Sequence, residues 1–318
     1  MRADDESGPE VCGPEKHRRP GEAALFDLAV PAEQRIPFVV NSPHSGRDYP
    51  ADFLALSRLD AHAIRRSEDA YVDLLFADAV AAGAPCLSAR FPRAWLDVNR
   101  EPWELDQRMF DGPLPPHANT RSIRVAGGLG TIPRVVAEGE TIYKRRLPVA
   151  EAVRRVEGVY RPYHEALRRT IARSSVRFGY AVLLDCHSMP SHLGGSFGSA
   201  PRPDVVVGDR YGTSCAPAVT HALMDAFASR GYRVTRNKPY AGGFITEHYG
   251  RPLKGLHAVQ LELNRALYMD ERSLRPHEGF ARLKRDLGAV LLEVSSQPDA
   301  ALYPVRDQGE IEPGLAAE

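Results

Sequence analysis

The chain has 318 residues, 43% apolar and 26% charged, a composition typical of globular proteins and a length that can bury a core without disulfide or metal staples. Lysine plus arginine equals aspartate plus glutamate, 41 each, so charge gives no reason to expect nucleic acid or an anionic membrane as partner. No apolar run reaches transmembrane length, the acidic start MRADDESGPE lacks a secretory apolar region, and Cys12, Cys86, Cys186 and Cys215 are scattered without CxxC spacing, which together predict a cytoplasmic protein with free buried thiols.

In chain order, residues 1–20 are polar and proline-bearing and read as a disordered extension. IPFVV (36–40) is a short apolar strand, broken by NSPHSGRDYP. DAYVDLLFADAVAAG (69–83) carries apolar residues at helical spacing and closes on Gly83, a C-cap signal. APCLSAR (84–90) reads as a strand. Residues 100–140 form a long irregular stretch rich in Gly and Pro, of the kind that is usually functional or mobile. Its GGLG lacks the Lys-Ser/Thr of a phosphate loop and does not lie between a strand and a helix. Residues 141–174 read as a long helical stretch in which Pro148 and Pro162 mark a start or a kink. Strands follow at GYAVLLD (179–185) and DVVVGD (204–209), a helix at 215–231, strands at YRVTRN (232–237) and HAVQLELN (257–264), and a last helix at 278–297. From Pro304 onward the chain again resembles a flexible tail, 304–318. Strands alternating with helices predict an α/β domain with a mostly parallel sheet.

Several of these strands run into polar residues able to do chemistry. IPFVV leads to His44, AVLLD leads to His187, and Glu262 lies near the end of HAVQLELN. Ligands of open α/β sheets bind beyond the carboxyl ends of the strands, so two imidazoles and a carboxylate converge on one crevice. A catalytic zinc site takes three protein ligands and keeps a fourth position for water. Glu68 and Asp69 are the candidates for the third ligand; alternatively they only favour a helix N-terminus. Glu262 has a second reading, as an ion-pair partner of Arg265, and Asp185 is placed to orient His187. Asn99 and Arg100 follow a short apolar segment, and an arginine fork there suits a carboxylate. There is no G-x-S-x-G, and Cys186 points to the opposite strand face from His187, which argues against a serine or thiol nucleophile.

Taken together, SPHSGRDYP (42–50), RSEDAYVDLLF (66–76), FPRAWLDVNRE (91–101), LLDCHSMP (183–190), NKPYAGGFITEHYG (237–250) and QLELNR (260–265) resemble the N-formylglutamate amidohydrolase family over roughly residues 36–290. The resemblance implies a three-layer α/β/α, mixed but mostly parallel fold of the phosphorylase/hydrolase kind, similar to zinc peptidases, as one catalytic domain over 21–303. It implies one divalent metal, zinc first, held by His44, His187 and an acid at Glu68-Asp69, with Asp69 favoured. It implies that Glu262 activates water and that Asn99 and Arg100 hold the substrate. A second substrate carboxylate calls for a further cation, and Arg124, Arg121 and Lys238 are candidates. The implied reaction is hydrolysis of a small anionic N-acyl amino acid, N-formyl-L-glutamate first, as the last step of histidine breakdown. The alternatives are an amidase or peptidase for another N-acyl amino acid or small peptide, and a non-catalytic relative that binds a small anion.

Overall fold

Strands buried on both faces read as continuous apolar runs, and the two longest such runs lie side by side in the centre of one eight-stranded sheet. The computed structural model describes residues 15–16, 25–136, 139–192, 202–296 and 300–305. The strands are β1 (Glu15–Lys16), β2 (Phe26–Ala29), β3 (Phe38–Ser42), β4 (Cys86–Ala89), β5 (Ala181–Met189), β6 (Val205–Gly208), β7 (Val234–Arg236) and β8 (Leu256–Asn264). Their spatial order is β1-β2-β4-β3-β5-β8-β6-β7. Four of the seven neighbouring pairs are parallel, including β4-β3-β5-β8 at the centre, and the rest are antiparallel.

Alternate residues of the central strands supply two separate cores. Val182, Leu184 and Cys186 of β5 and Val259, Leu261 and Leu263 of β8 face helices α3 (Pro217–Ala228) and α5 (Gly279–Ser295). Ala181 and Leu183 of β5 and Ala258 of β8 face the opposite way, toward α2 (Arg161–Phe178) and the short α4 (Phe244–Tyr249). Helix α2 buries Tyr163, Ala166, Leu167, Thr170, Ile171 and Ser174, one stripe at helical spacing, and ends on Gly179 in the left-handed region. It continues α1 (Val149–Arg155) across a π turn at Val156–Tyr160. That turn serves the site: Arg155 donates from Nη1 to the Trp95 carbonyl at 2.8 Å and Tyr160 donates to the Arg100 carbonyl at 2.6 Å, fixing the 95–100 loop at two points.

Some elements differ from the sequence-based expectation. The helix expected over 69–83 is two short helices, Val72–Leu75 and Ala79–Ala82, closed by Gly83 at φ 97°. It cannot begin at Asp69, because Tyr71 is left-handed at φ 66° and lies outside helical geometry. The helix expected from 141 begins at Val149, with Pro148 at its N-cap; Leu147–Pro148 instead pairs with Phe110–Asp111. The strand expected to end at Asp185 runs on to Met189, so His187 stands within β5 rather than after it. The extension expected to be disordered (1–20) lies outside the described residues except for β1, and the tail (304–318) except for Pro304 and Val305. Among the described residues no helix is long and apolar enough to cross a membrane.

Leu184→Ala, in the middle of β5, should lower the unfolding free energy by about 2–5 kcal/mol in urea denaturation. Val176→Ala on the 88% exposed face of α2 should change it by less than about 0.5 kcal/mol.

Candidate metal centre

Register and alternation decide what reaches the site. In parallel pairing, Asn41 lies opposite Asp185 and Glu262 lies opposite His187. Two-residue spacing then puts Asp185 and His187 on one face of β5, and Gln260 and Glu262 on the same face of β8. Cys186 points the other way, fully buried in the core against α3 and α5, and burial raises its pKa well above the usual thiol value. It is no nucleophile for this site.

His44 arrives from the turn after β3. Gly46 makes that turn possible, since a Cβ there would lie 2.1 Å from the Phe91 carbonyl oxygen. This close approach brings the loop after β4 alongside, and with it Asp97. Asp69 arrives from the other side on the bond from its N–H to the His44 carbonyl.

His44, Asp69 and His187 are all buried, and one donor atom of each lies within 4.8 Å of the others. Asp69 Oδ2 sits 3.0 Å from His187 Nδ1 and 3.3 Å from His44 Nδ1. The far nitrogen of each ring has its own carboxylate: His44 Nε2 is 2.8 Å from Asp97 Oδ1, and His187 Nε2 is 2.9 Å from Asp185 Oδ2. That arrangement fixes the tautomer and raises the basicity of metal-binding histidines. Asp97 is held by Arg93 at 3.1 Å and by the Asn99 N–H at 2.9 Å. Asp185 takes the Asn41 amide at 2.8 Å, and Asn41 in turn accepts from Tyr163 of α2 at 2.6 Å.

The site is rich in buried charge. Burial works against ionised Asp69, but the hydrogen bond with His187 and the nearby His44 imidazole outweigh it and hold the carboxyl well below its usual range. Burial equally opposes a charged His187, and the Asp185 carboxylate outweighs it, so its pKa lies well above the ordinary imidazole value. Asp97 is also held well below its usual range: Arg100, His44 and Arg93 overcome its burial. Burial pushes the Glu262 carboxyl up to about 7, with His187 pulling it down and the Asp69 charge pushing it up. Gln260 donates to Glu262 Oε1 at 2.8 Å.

The donor set fits a divalent metal. His44 Nδ1 is buried without a hydrogen bond although it faces Asp69, an expensive state for a polar atom with no further partner. Two imidazole nitrogens and one carboxylate oxygen are a zinc-type set. Glu68, the alternative acid, is turned away: it accepts from Tyr49 at 2.7 Å and from Arg65 at 2.9 Å.

A cavity of about 510 Å³ opens on this centre, lined by His44, His187 and Glu262 and by the guanidinium-bearing residues 66, 93, 100, 124, 210 and 265. Arg100 lines it with its Nε bonded to the Leu129 carbonyl and Nη1 to the Asn99 carbonyl, both at 2.8 Å. Asn99 lines it too, accepting from the Ile245 N–H at 2.8 Å and reaching Asp185 Oδ2 at 3.4 Å. Gly243 packs so closely on Asn99 that a Cβ would fall 2.5 Å from its Nδ2. Arg124 lines the cavity with its nearest acid, Glu104, 3.9 Å away, whereas Arg121 and Lys238 are not part of the lining. Sequence reasoning missed Asp97, Arg93 and Asn41. The one signal for Asp97 is an acid among apolar residues two positions before Asn99. Arg265, expected beside Glu262, reaches Asp69 instead, at 3.3 Å.

The sequence model of the N-formylglutamate amidohydrolase family matches residues 36–269. An N-formylglutamate deformylase of Pseudomonas aeruginosa is 35% identical over 265 residues, 82% of this chain and 91% of that protein. One of Pseudomonas putida is 34% identical over 240 residues, 74% of this chain and 83% of that protein. The crystal structure of N-formylglutamate amidohydrolase from Ralstonia eutropha JMP134 superimposes with a TM-score of 0.80 at 36% identity, covering 86% of this chain and 97% of that one.

Zinc titration should reveal competition with a proton. His187 carries a raised pKa in the metal-free site and must lose its proton to coordinate, so affinity falls as pH falls, about tenfold per pH unit below that pKa. His187→Ala should bring bound metal, measured by atomic absorption, well below one per chain; full occupancy would remove His187 as a ligand.

Proposed function

The chain belongs to the N-formylglutamate amidohydrolase family, and from that premise we propose that it hydrolyses the amide of a small N-acyl amino acid, N-formyl-L-glutamate first, to formate and L-glutamate. The observation that carries the proposal is the buried His44-Asp69-His187 cluster with Glu262 in the adjoining strand, at the mouth of an arginine-lined cavity. We read the architecture as three-layer α/β/α of the zinc-peptidase kind, which the cores on both sheet faces support. Cys86, Cys186 and Cys215, buried and unbridged, suit a reducing cytoplasm, and the reaction suits the last step of histidine breakdown.

His44, Asp69 and His187 would hold one divalent ion, zinc by its donor set. When bound, such an ion polarises a carbonyl and lowers the pKa of water to about 7. Glu262 takes the proton of the attacking water and returns it to the leaving amine, a role suited to a carboxyl whose pKa burial has brought to about 7. Arg100 grips one substrate carboxylate, with Asn99 beside it. Arg124, whose nearest acid is 3.9 Å away, serves the second. Two such cations, Arg100 and Arg124, lining one cavity suit a substrate with two carboxylates.

One observation favours a second reading within the same chemistry. A cavity of about 510 Å³ lies within the range of drug-sized ligand sites, large enough for a longer N-acyl group or a small peptide. A bare anion-binding role is disfavoured by Glu262, since binding a carboxylate needs no acid beside it.

Formate release from N-formylglutamate, set against N-acetylglutamate and glutamyl dipeptides, separates these readings. Glu262→Gln should keep its metal and lose about 10²–10⁴-fold in kcat. Near-normal turnover would take Glu262 out of the reaction.

A further inference from the structure

The two oxygens of Asp69 live in different surroundings. Oδ2 faces the two imidazoles. Oδ1 receives Arg265 Nη2 at 3.3 Å and the Ser188 hydroxyl at 3.3 Å. Arg265 is itself nearly inaccessible and spends its remaining donors nearby: Nε to Ser188 Oγ at 3.1 Å, Nη2 also to the Glu68 carbonyl at 2.6 Å, and Nη1 to the Arg66 carbonyl at 3.2 Å. The guanidinium thus ties the end of β8 to β5 and to the loop that carries Asp69.

A clamp on the loop alone would need only the two backbone carbonyls. The additional reach to Oδ1, doubled by Ser188, occupies the one oxygen that does not face the histidines. A carboxylate can bind a cation through one oxygen or both. With two imidazoles, a one-oxygen carboxylate leaves a fourth position for water, as catalytic zinc sites require, while a two-oxygen carboxylate fills it. Partners behind the ligands decide such orientation.

Resting on the metal reading above, we infer that Arg265, together with Ser188, is a positioning residue that restricts Asp69 to one-oxygen ligation and so keeps a coordination position open. Arg265 touches no substrate in this role; it acts through Asp69. Lysine keeps the charge but has no planar fork, and so cannot hold Asp69 Oδ1, Ser188 and the loop carbonyls together.

The test uses the cobalt(II)-loaded full-length protein as wild type, Arg265→Lys and Ser188→Ala, with circular dichroism reporting the fold. Visible cobalt absorption weakens as coordination number rises, and it reads the ligand arrangement whatever the substrate. Both variants should show weakened cobalt bands and a kcat reduced about 10–100-fold, with KM within about twofold of wild type. If Arg265→Lys does not fold, Ser188→Ala decides alone. Cobalt bands and kcat equal to wild type in the folded variants would overturn the inference while leaving the metal site intact. A wild-type protein that binds no cobalt would overturn the metal site and the inference with it.

Discussion

A single carboxylate oxygen, Asp69 Oδ2, lies within 3.3 Å of two imidazole nitrogens in a place shielded from solvent, and much of the surrounding structure exists to keep it there. Behind the two rings stand Asp97 and Asp185, and Glu262 completes a group of four buried acids. Ionised groups in such a place are strongly destabilising unless paired and hydrogen-bonded. Arg93 and Arg100 answer Asp97, Arg265 answers Asp69, and a charged His187 answers Asp185. A divalent cation held there would take over the work of the His187 proton. The two states would then be two ways of meeting the same electrostatic demand.

The polypeptide meets this demand with pieces far apart in sequence. Asn41 and His44 come from β3 and its turn, Asp69 from a loop, Asp97 from the segment after β4, Asp185 and His187 from β5, and Glu262 from β8. The parallel strands β3, β5 and β8 hold their site residues at matching heights on one face. The loop bearing Asp97 has no such register, and it is fixed instead from outside, by Arg155 and Tyr160 on either side of the π turn. A local irregularity in a helix thereby stabilises an irregular loop.

The legible part of this design is the part with local causes. Apolar runs located β3, β5, β6 and β8 because strands covered on both faces carry their hydrophobicity without interruption. His44, His187 and Glu262 stood out as polar groups at or near the ends of such runs, and Glu68-Asp69 as acids at the start of a helical pattern. The continuation of β5 beyond Asp185, through His187 and Ser188 to Met189, was hidden, since the burial of those polar residues depends on the site rather than on hydrophobicity. The periodicity of 69–83 was real, but the left-handed turn at Tyr71 overrode it at its start. Asp97 and Arg265 were out of reach for a simpler reason. Each is an ordinary charged residue until a partner fifty or more positions away, His44 for one and Asp69 for the other, is brought against it.

The alternating faces of β5 make this strand unforgiving of length. One extra residue ahead of Asp185 would rotate both Asp185 and His187 into the apolar core against α3 and α5, and swing Cys186 round to the cavity. Insertions and deletions of odd length should be absent from this segment in any working relative.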